Sequence, residues 1–598
     1  MYQAPVKDLL FVLGEQLRVG QLSATRQFAE FSLELSESVI EEAARFATGV
    51  LEPLNTVGDR IGAKWTPDGV RTAPGFVAAY KQYVADGWPL LGISSEHGGQ
   101  GAPLALATAV EEIWFATNVA FILCPQLGRG AVESLLMAGT PELKARFLPR
   151  MISGEWTGTM NLTEPQAGSD LAAVRTRAVP DGAVWRLFGQ KIFITYGEHD
   201  MAENIVHLVL ARIEGAPPGV KGLSLFVVPR FMPEGGARND MRCVSIEHKM
   251  GIHGSPTCVL AYGDKEGAVG YLVGEANNGL QYMFIMMNSA RLSVGVQGIG
   301  LSARAWQQAL NWARTRVQGK PIGAVRAAGS DAAPTIIQHP DVKRLLLLMK
   351  SNVEAMRALA LYAALQQDMG ASLSDATAKA QAQARADLLI PIVKGWSTEQ
   401  VNHLASMAMQ VHGGMGYIEE TGVAQTLRDA RITAIYEGTT AIQANDLIGR
   451  KLLRDGGAAI SAQIETLQAM LKADVAQGAA NTAEVREITA GAAAALEQLR
   501  TVSAQLVQRG QTEPVDAFAV SVPYLMLCGF VFGGALLVQG ANIAATRLAT
   551  GNTDVAFMRA KLQTAKFYVA HWLAHAYGLA ETVVRGAHSV SSAEHELL

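Results

Sequence analysis

Between about residues 156 and 275 the apolar pattern of this chain changes period, and that change limits what it can fold into. Val184-Trp185-Arg186-Leu187-Phe188, Ile205-Val206-His207-Leu208-Val209-Leu210 and Leu223-Ser224-Leu225-Phe226-Val227-Val228 are short β-rich runs separated by Gly, Pro and Asp clusters. Apolar residues on either side recur at helical spacing, so the reading is a small β domain between helical ones. Residues 1 to 155 read as mostly helical, with Phe28-Ala29-Glu30-Phe31 and Val39 to Phe46 carrying the period and Gly92 to Gly101 forming a glycine-rich loop. Residues 276 to 452 hold long helices, including Arg291 to Arg316 and Val342 to Met369. Gly456-Gly457 reads as a joint before an Ala-rich helical domain over 458 to 598, which has polar breaks at Gln477 to Thr482 and Arg509 to Pro514. At 598 residues the chain is too long for one core, and these four segments are its expected domains.

Net charge is −4, from 50 basic and 54 acidic residues, which argues against a general nucleic-acid binder. Cys124, Cys243, Cys258 and Cys528 are scattered and form no CxxC pair, as suits a reducing compartment. Met1 to Asp8 lacks the apolar core of a signal peptide, and the expectation is a cytoplasmic, bacterial protein. No charge occurs between Asp516 and Arg547, a length that could span a bilayer. Pro523, several glycines, Gln539 and Asn542 interrupt it, and a buried helix with no stable membrane insertion is the expected form.

Three segments carry candidate chemistry. In Ala434-Ile435-Tyr436-Glu437-Gly438-Thr439-Thr440 one carboxylate follows apolar residues and precedes a glycine and two hydroxyls. A carboxylate in apolar surroundings becomes a competent base toward weak carbon acids. Leu162-Thr163-Glu164-Pro165-Gln166-Ala167-Gly168-Ser169-Asp170 could offer N–H and OH donors to a polar ring or pyrophosphate, or be no more than a capped turn. Gln410-Val411-His412-Gly413-Gly414-Met415-Gly416-Tyr417 ends a helix in glycines, which allow close backbone approach to a cofactor or simply cap the helix. Between them, Phe193 and Thr195 stand two apart at the end of a strand-like run, where alternation would project both to one side. His571 and His575 have metal-ligand spacing, but the Glu of HExxH is absent and they read as packing residues; no metal is expected. Gly295-Val296-Gln297-Gly298-Ile299-Gly300 follows no strand, so its glycines read as sites of close helix packing.

The order of these segments resembles the acyl-CoA dehydrogenase family over nearly the whole chain. Thr-Glu-Pro-x-Ala-Gly-Ser-Asp is similar to the family's first signature, Gln-x-x-Gly-Gly-x-Gly-Tyr to its second and Tyr-Glu-Gly-Thr to its catalytic segment. Lys249 to Ser255 and Gly319-Lys320-Pro321-Ile322 resemble further family segments. The first 20 residues and the additional C-terminal domain resemble the long subgroup that includes 3-methylthiopropanoyl-CoA dehydrogenases. The fold this implies is acyl-CoA dehydrogenase-like: mainly α, with a central small β-barrel domain and an additional C-terminal helical bundle.

The resemblance implies FAD-dependent α,β-dehydrogenation of an acyl-CoA thioester. Glu437 would remove the α-proton, and its N–H would help stabilise charge on the thioester carbonyl, which Gly438 lets approach closely. Some relatives place the base just before the arginine matching Arg291; that position is Ala290 here, which favours Glu437. By the same resemblance Leu162, Thr163, Phe193 and Thr195 would contact the flavin ring, and Ser169 would serve phosphate-side contacts of flavin or CoA. Arg316, Gln410, Gly413 and Gly414 would reach the FAD of a neighbouring subunit, Thr439 and Gln443 would complete the cofactor site, and Arg291 would lie at the substrate end. A homodimer and an electron-transferring flavoprotein are the implied partners. The chain departs from the family pattern at Gln425, at Arg316-Val317-Gln318-Gly319 and at Phe193, which replaces the usual Trp. A 3-methylthiopropanoyl-CoA substrate is favoured on subgroup resemblance, and a medium- or long-chain fatty acyl-CoA dehydrogenase or an acyl-CoA oxidase is the alternative.

Overall fold

The computed structural model describes residues 2–322, 334–476, 482–551 and 554–597. Residues 477–481 of the polar break expected at Gln477 to Thr482 lie outside the described residues, and Thr482 caps the helix that follows. The helices are α1 (Val6–Leu10), α2 (Leu33–Phe46), α3 (Glu52–Ile61), α4 (Phe76–Ala85), α5 (Leu104–Ala138), α6 (Pro141–Ile152), α7 (Gly279–Thr315), α8 (Pro340–Ser372), α9 (Ala376–His412), α10 (Val423–Ala430), α11 (Thr440–Asp446), α12 (Ala458–Ala476), α13 (Ala483–Thr512), α14 (Pro514–Ala519), α15 (Ser521–Ala549), α16 (Val555–Tyr568), α17 (Ala574–Arg585) and α18 (Ala587–Ser591). The strands are β1 (Lys64–Thr66), β2 (Gly69–Arg71), β3 (Trp156–Asn161), β4 (Arg177–Asp181), β5 (Val184–Thr195), β6 (Asn204–Ile213), β7 (Leu223–Pro229), β8 (Met241–Ile246), β9 (Thr257–Tyr262) and β10 (Ala268–Val273). The chain forms two units, Arg45–Ala102 with Thr117–Ser293, and Tyr2–Ala44 with Pro103–Ala116 and Val294–Leu598.

In the first unit a barrel closes. Strands pair in the order β10-β7-β6-β4-β5, and β10 returns to β5 with Gly270 opposite Trp185. β9 and β8 continue from β5, and β3 lies parallel beside β6. The apolar runs do not alternate with polar residues because both faces of β6 and β7 are covered. Val209, Ala211, Phe226 and Val228 fill the barrel with Leu187 and Leu260. Val206, Leu208, Leu210, Leu225 and Val227 point the other way, into a core built by Leu127, Phe147, Leu148, Met283 and Met286. The hairpin β1–β2, held by Trp65 Nε1 donating to Cys243 O at 3.0 Å, is an element the helical reading of residues 1–155 did not contain.

The second unit is helical. Its glycines mark crossings: a Cβ on Gly295 would lie 2.7 Å from Val393 Cγ1, one on Gly298 2.6 Å from Ser397 O, and one on Gly300 2.7 Å from Glu112 O. This agrees with the packing reading of the Gly295–Gly300 run. Phe28–Phe31, expected as α-helix, follows the 3-10 turn Arg26–Phe28 as a single turn closed by Phe31 N donating to Phe28 O at 3.0 Å, with Phe28 and Phe31 buried. A turn closed by an i to i+3 bond brings residues three apart together, as a helix does, so the period alone misleads. α5 and α15 are long and apolar enough to cross a bilayer by length and composition, and protein buries all or most of each apolar stretch.

Two cations and three carboxylates are also buried in this unit, with a half-buried lysine beside them. Arg357 donates to Glu112 through Nε at 2.9 Å and to Asp8 at 2.5 Å; Lys561 reaches Glu354 at 2.9 Å and also Asp8; Lys350 reaches Glu354 at 2.5 Å. Burial opposes the charge on Asp8, yet Lys561 and Arg357 hold its carboxyl well below the usual carboxylate range. The network joins α1, α5, α8 and α16.

Candidate active site

Glu437 lies in the helical unit, between the 3-10 turn Arg431–Ala434 and α11. It and Gly438 both take left-handed backbone conformations, with φ of 54° and 86°. At Gly438 the glycine is required twice, since a Cβ would also sit 2.7 Å from Gln443 Nε2. Thr439 caps α11, its hydroxyl accepting from Ile442 N at 3.3 Å. Gln443 Nε2 donates to Glu437 O at 3.2 Å and to Gly438 O at 3.4 Å, and Lys394 Nζ donates to Gly438 O at 2.6 Å. Tyr436 donates its hydroxyl to Gln297 Oε1. Burial, and then the charge of Glu437 beside it, pushes the Tyr436 phenol up, so it stays a neutral donor. The Glu437 side chain is half-buried.

In the β unit the Leu162–Asp170 segment is tied to the end of β5. Ile192 N donates to Thr163 O at 2.9 Å, and Lys191 Nζ donates to Leu162 O and to Glu164 Oε1, both at 2.8 Å. Glu164 also accepts from the Thr176 hydroxyl at 2.6 Å and from the N–H groups of Arg175 and Thr176. Burial opposes its ionisation, but Lys191 and these hydrogen bonds outweigh it and hold the carboxyl at about 2. Burial lowers the Lys191 ammonium to about 8 against the pull of Glu164. These bonds tie Leu162 and Thr163 to Lys191 and Ile192, the residues that lead into Phe193 and Thr195. The expected strand alternation there needs correcting. The β5–β9 register shifts between Lys191 and Ile194, and Phe193 takes φ 60°. Phe193 is 59% exposed not through a regular pleat but because a bulge turns it out. Ser169 is exposed in the same loop.

A second cluster lies in the helical unit. The Arg316 guanidinium lies over Trp312 at 5.8 Å, and Trp312 stacks on His412 at 5.0 Å. His412 is the last residue of α9, and Gly413 ends that helix at φ 63°. One exposed corner thus collects Arg316, Gln410, Gly413 and Gly414. Arg291 and Ala290 are buried in α7 within the β unit. At the departures, Gln425 is buried and donates to Asp429 at 3.2 Å, and Gln318 O is bonded to His339 Nε2 at 2.8 Å. His571 stacks on Phe567 and His575 meets Phe530 edge-on.

Four family profiles match in order: "Acyl-CoA dehydrogenase, N-terminal domain" over residues 34–155, "middle domain" over 159–264, "C-terminal domain" over 277–453, and "Acetyl-CoA dehydrogenase C-terminal like" over 460–594. The 3-methylmercaptopropionyl-CoA dehydrogenase of Ruegeria pomeroyi is 46% identical over 576 residues, covering 95% of each chain. This chain belongs to the acyl-CoA dehydrogenase family. The broad-specificity linear acyl-CoA dehydrogenase FadE5 of Mycobacterium tuberculosis is 35% identical, over 96% of this chain and 95% of its own. The fold agrees with the crystal structure of an acyl-CoA dehydrogenase complexed with FAD from Bacillus anthracis, at a TM-score of 0.74 and 20% identity over 95% of this chain and 90% of that one.

Acyl-CoA dehydrogenases are FAD-dependent oxidoreductases, and residues here fit a flavin. Gln443 Oε1 is a buried acceptor that meets no donor among the described residues, Phe193 presents an exposed ring, and Gly168, Gly413 and Gly414 have open space where a Cβ would stand. The positions that sequence reading did not single out are those that hold the others. Lys191 and Glu164 are 27 residues apart, and Lys394 and Gly438 are 44 apart. A charged residue inside an apolar helical run was the one available sign of Lys394.

Proposed function

We propose that this protein dehydrogenates an acyl-CoA thioester to the trans-2-enoyl-CoA, with Glu437 as the base. The observation that carries the reading is the Glu437 loop: a half-buried carboxylate in a left-handed turn, fixed by Gln443, with glycine next to it where a thioester must approach. Bound FAD supplies the acceptor for the β-hydrogen as hydride. Glu437 takes the α-proton, and its backbone N–H is the chain's donor to the thioester oxygen, where enolate-like charge develops. Leu162, Thr163, Phe193 and Thr195 would hold the flavin ring, with Thr439 and Gln443 completing its site. Ser169 would meet phosphate-side groups of flavin or CoA, and Arg291 would lie at the substrate end. Arg316, Gln410, Gly413 and Gly414 would meet the cofactor of a second copy, which supports a homodimer; light scattering on the eluting protein tests it.

For the substrate we favour 3-methylthiopropanoyl-CoA on the Ruegeria relative alone. Methionines do not add to that case, because Met283 and Met286 are fully buried core residues beside Leu127 and Phe147. The Mycobacterium relative supports linear acyl-CoAs as the second reading. Anaerobic bleaching of the flavin by 3-methylthiopropanoyl-, butyryl-, octanoyl- and palmitoyl-CoA separates the two. Glu437→Gln should lower the bleaching rate by about 10²–10⁴-fold while FAD stays bound; a variant as fast as wild type sinks the assignment of the base. An electron-transferring flavoprotein is the proposed acceptor in a reducing cytoplasm, and stoichiometric hydrogen peroxide under air would indicate an oxidase instead.

A further inference from the structure

One stretch of α9 is fully committed to neighbours. Val393 packs on Gly295, Lys394 donates to Gly438 O at 2.6 Å, and Ser397 O packs on Gly298. Gly395 faces Leu525 of α15, where a Cβ would lie 2.8 Å from Leu525 Cδ1. Trp396 fills a groove along α15 lined by Gly529 and Gly533, with a Cβ on Gly533 only 2.6 Å from Trp396 Cη2. α15 also holds α11, the helix that follows the Glu437 loop, through Ser521 Oγ to Asn445 Oδ1 at 3.2 Å. The C-terminal domain therefore grips α9, which carries Lys394, and α11, the helix after the loop, and between those grips a fully buried ammonium meets the loop's carbonyl.

A buried ammonium is costly unless its hydrogen bonds are strong and fixed. A glutamate–glycine pair in left-handed conformation is held only where its surroundings over-determine it. The Lys394–Gly438 contact serves both conditions, since it fixes the Gly438 carbonyl and with it the peptide that closes the turn on the far side of Gly438. We propose that Lys394 is a positioning residue for Glu437, fixing the turn that aims the carboxylate, and that the α15 groove around Trp396 keeps Lys394 in place. The proposal rests on Glu437 being the base, and a displacement of about 1 Å at such a group can cost on the order of 10²-fold in rate.

The test uses full-length FAD-loaded protein, with butyryl-CoA and 3-methylthiopropanoyl-CoA as probes. Lys394→Met removes the donor at similar length, and Lys394→Gln keeps an N–H donor. FAD stoichiometry, acyl-CoA dissociation constant, bleaching rate and the isotope effect from α-deuterated butyryl-CoA are measured for each. The expected result for Lys394→Met is full FAD content and a dissociation constant within threefold of wild type. Its bleaching is 10- to 100-fold slower with an enlarged α-deuterium effect, and Lys394→Gln recovers part of the rate. Bleaching within twofold of wild type overturns the proposal. So does a loss of FAD or of folding in both variants, which would make Lys394 a structural residue. A wild type that neither acyl-CoA bleaches removes the functional reading itself and the proposal with it; wild-type bleaching unchanged by Glu437→Gln removes the base, and again the proposal.

Discussion

A glutamate at φ 54° costs about 1–2 kcal/mol relative to a right-handed residue. The chain bears that cost at Glu437, where Gln443, Lys394 and the Thr439 cap together determine the turn. Glu164 shows the opposite economy. It is an acidic residue in a motif that invites a catalytic reading, yet five donors from the same unit consume it. Its folded carboxyl sits at about 2 against an ordinary 4.5, so its contribution is complete above about pH 4.5 and is lost as pH falls toward 2. That contribution is about 3 kcal/mol. Urea denaturation between pH 6 and pH 3 should show wild type losing stability on acidification more steeply than Glu164→Gln. Parallel pH profiles would refute the assignment.

At the scale of elements, helix crossings are built from glycine and one large partner. Gly533→Ala places a methyl against Trp396 and should destabilise by about 1–3 kcal/mol, as over-packed cores do. Gly578→Ala in α17 meets nothing within 4 Å, so it should be neutral or stabilise by up to about 1 kcal/mol. Thermal melts of the two variants make the comparison. The same elements show what could be read from the chain. Runs such as Leu223–Val228 were legible as strands because branched and aromatic residues between turn formers have few other uses. The glycine spacing of Gly295–Gly300 was legible as packing for lack of a preceding strand. The bulge at Ile192–Phe193 was not, since no Gly or Pro marks it and tertiary pairing with β9 sets it. Nor was the anchoring of the Glu164 loop, because a contact across 27 residues leaves no local periodicity. Glu437 stood out as a candidate through the Tyr-Glu-Gly-Thr segment, whereas its left-handed turn and the Thr439 cap on α11 emerge only from the fold.

For the whole molecule, buried and exposed ion pairs should differ sharply. Arg357→Met strips Glu112 and Asp8 of a buried partner and should cost about 3–5 kcal/mol. Arg547→Met breaks a pair with Glu15 in which both side chains are more than a third exposed, and should cost at most about 1 kcal/mol. Denaturant midpoints measured side by side check the contrast; equal shifts would mean the buried network contributes no more than a surface pair.

That network also sets an order in time. Asp8 leaves the ribosome 553 positions before its partner Lys561 (561 − 8). At about 5–20 residues per second the wait is about half a minute to two minutes. Arg357 arrives part-way and can shield Asp8 only in part. The helical unit therefore cannot complete this network before α16 has been made, and until then α1 lacks one of the two cations that hold Asp8. A nascent chain halted before residue 561 should yield α1 to protease faster than the finished chain does, so the delay between these two helices is a period in which α1 needs protection.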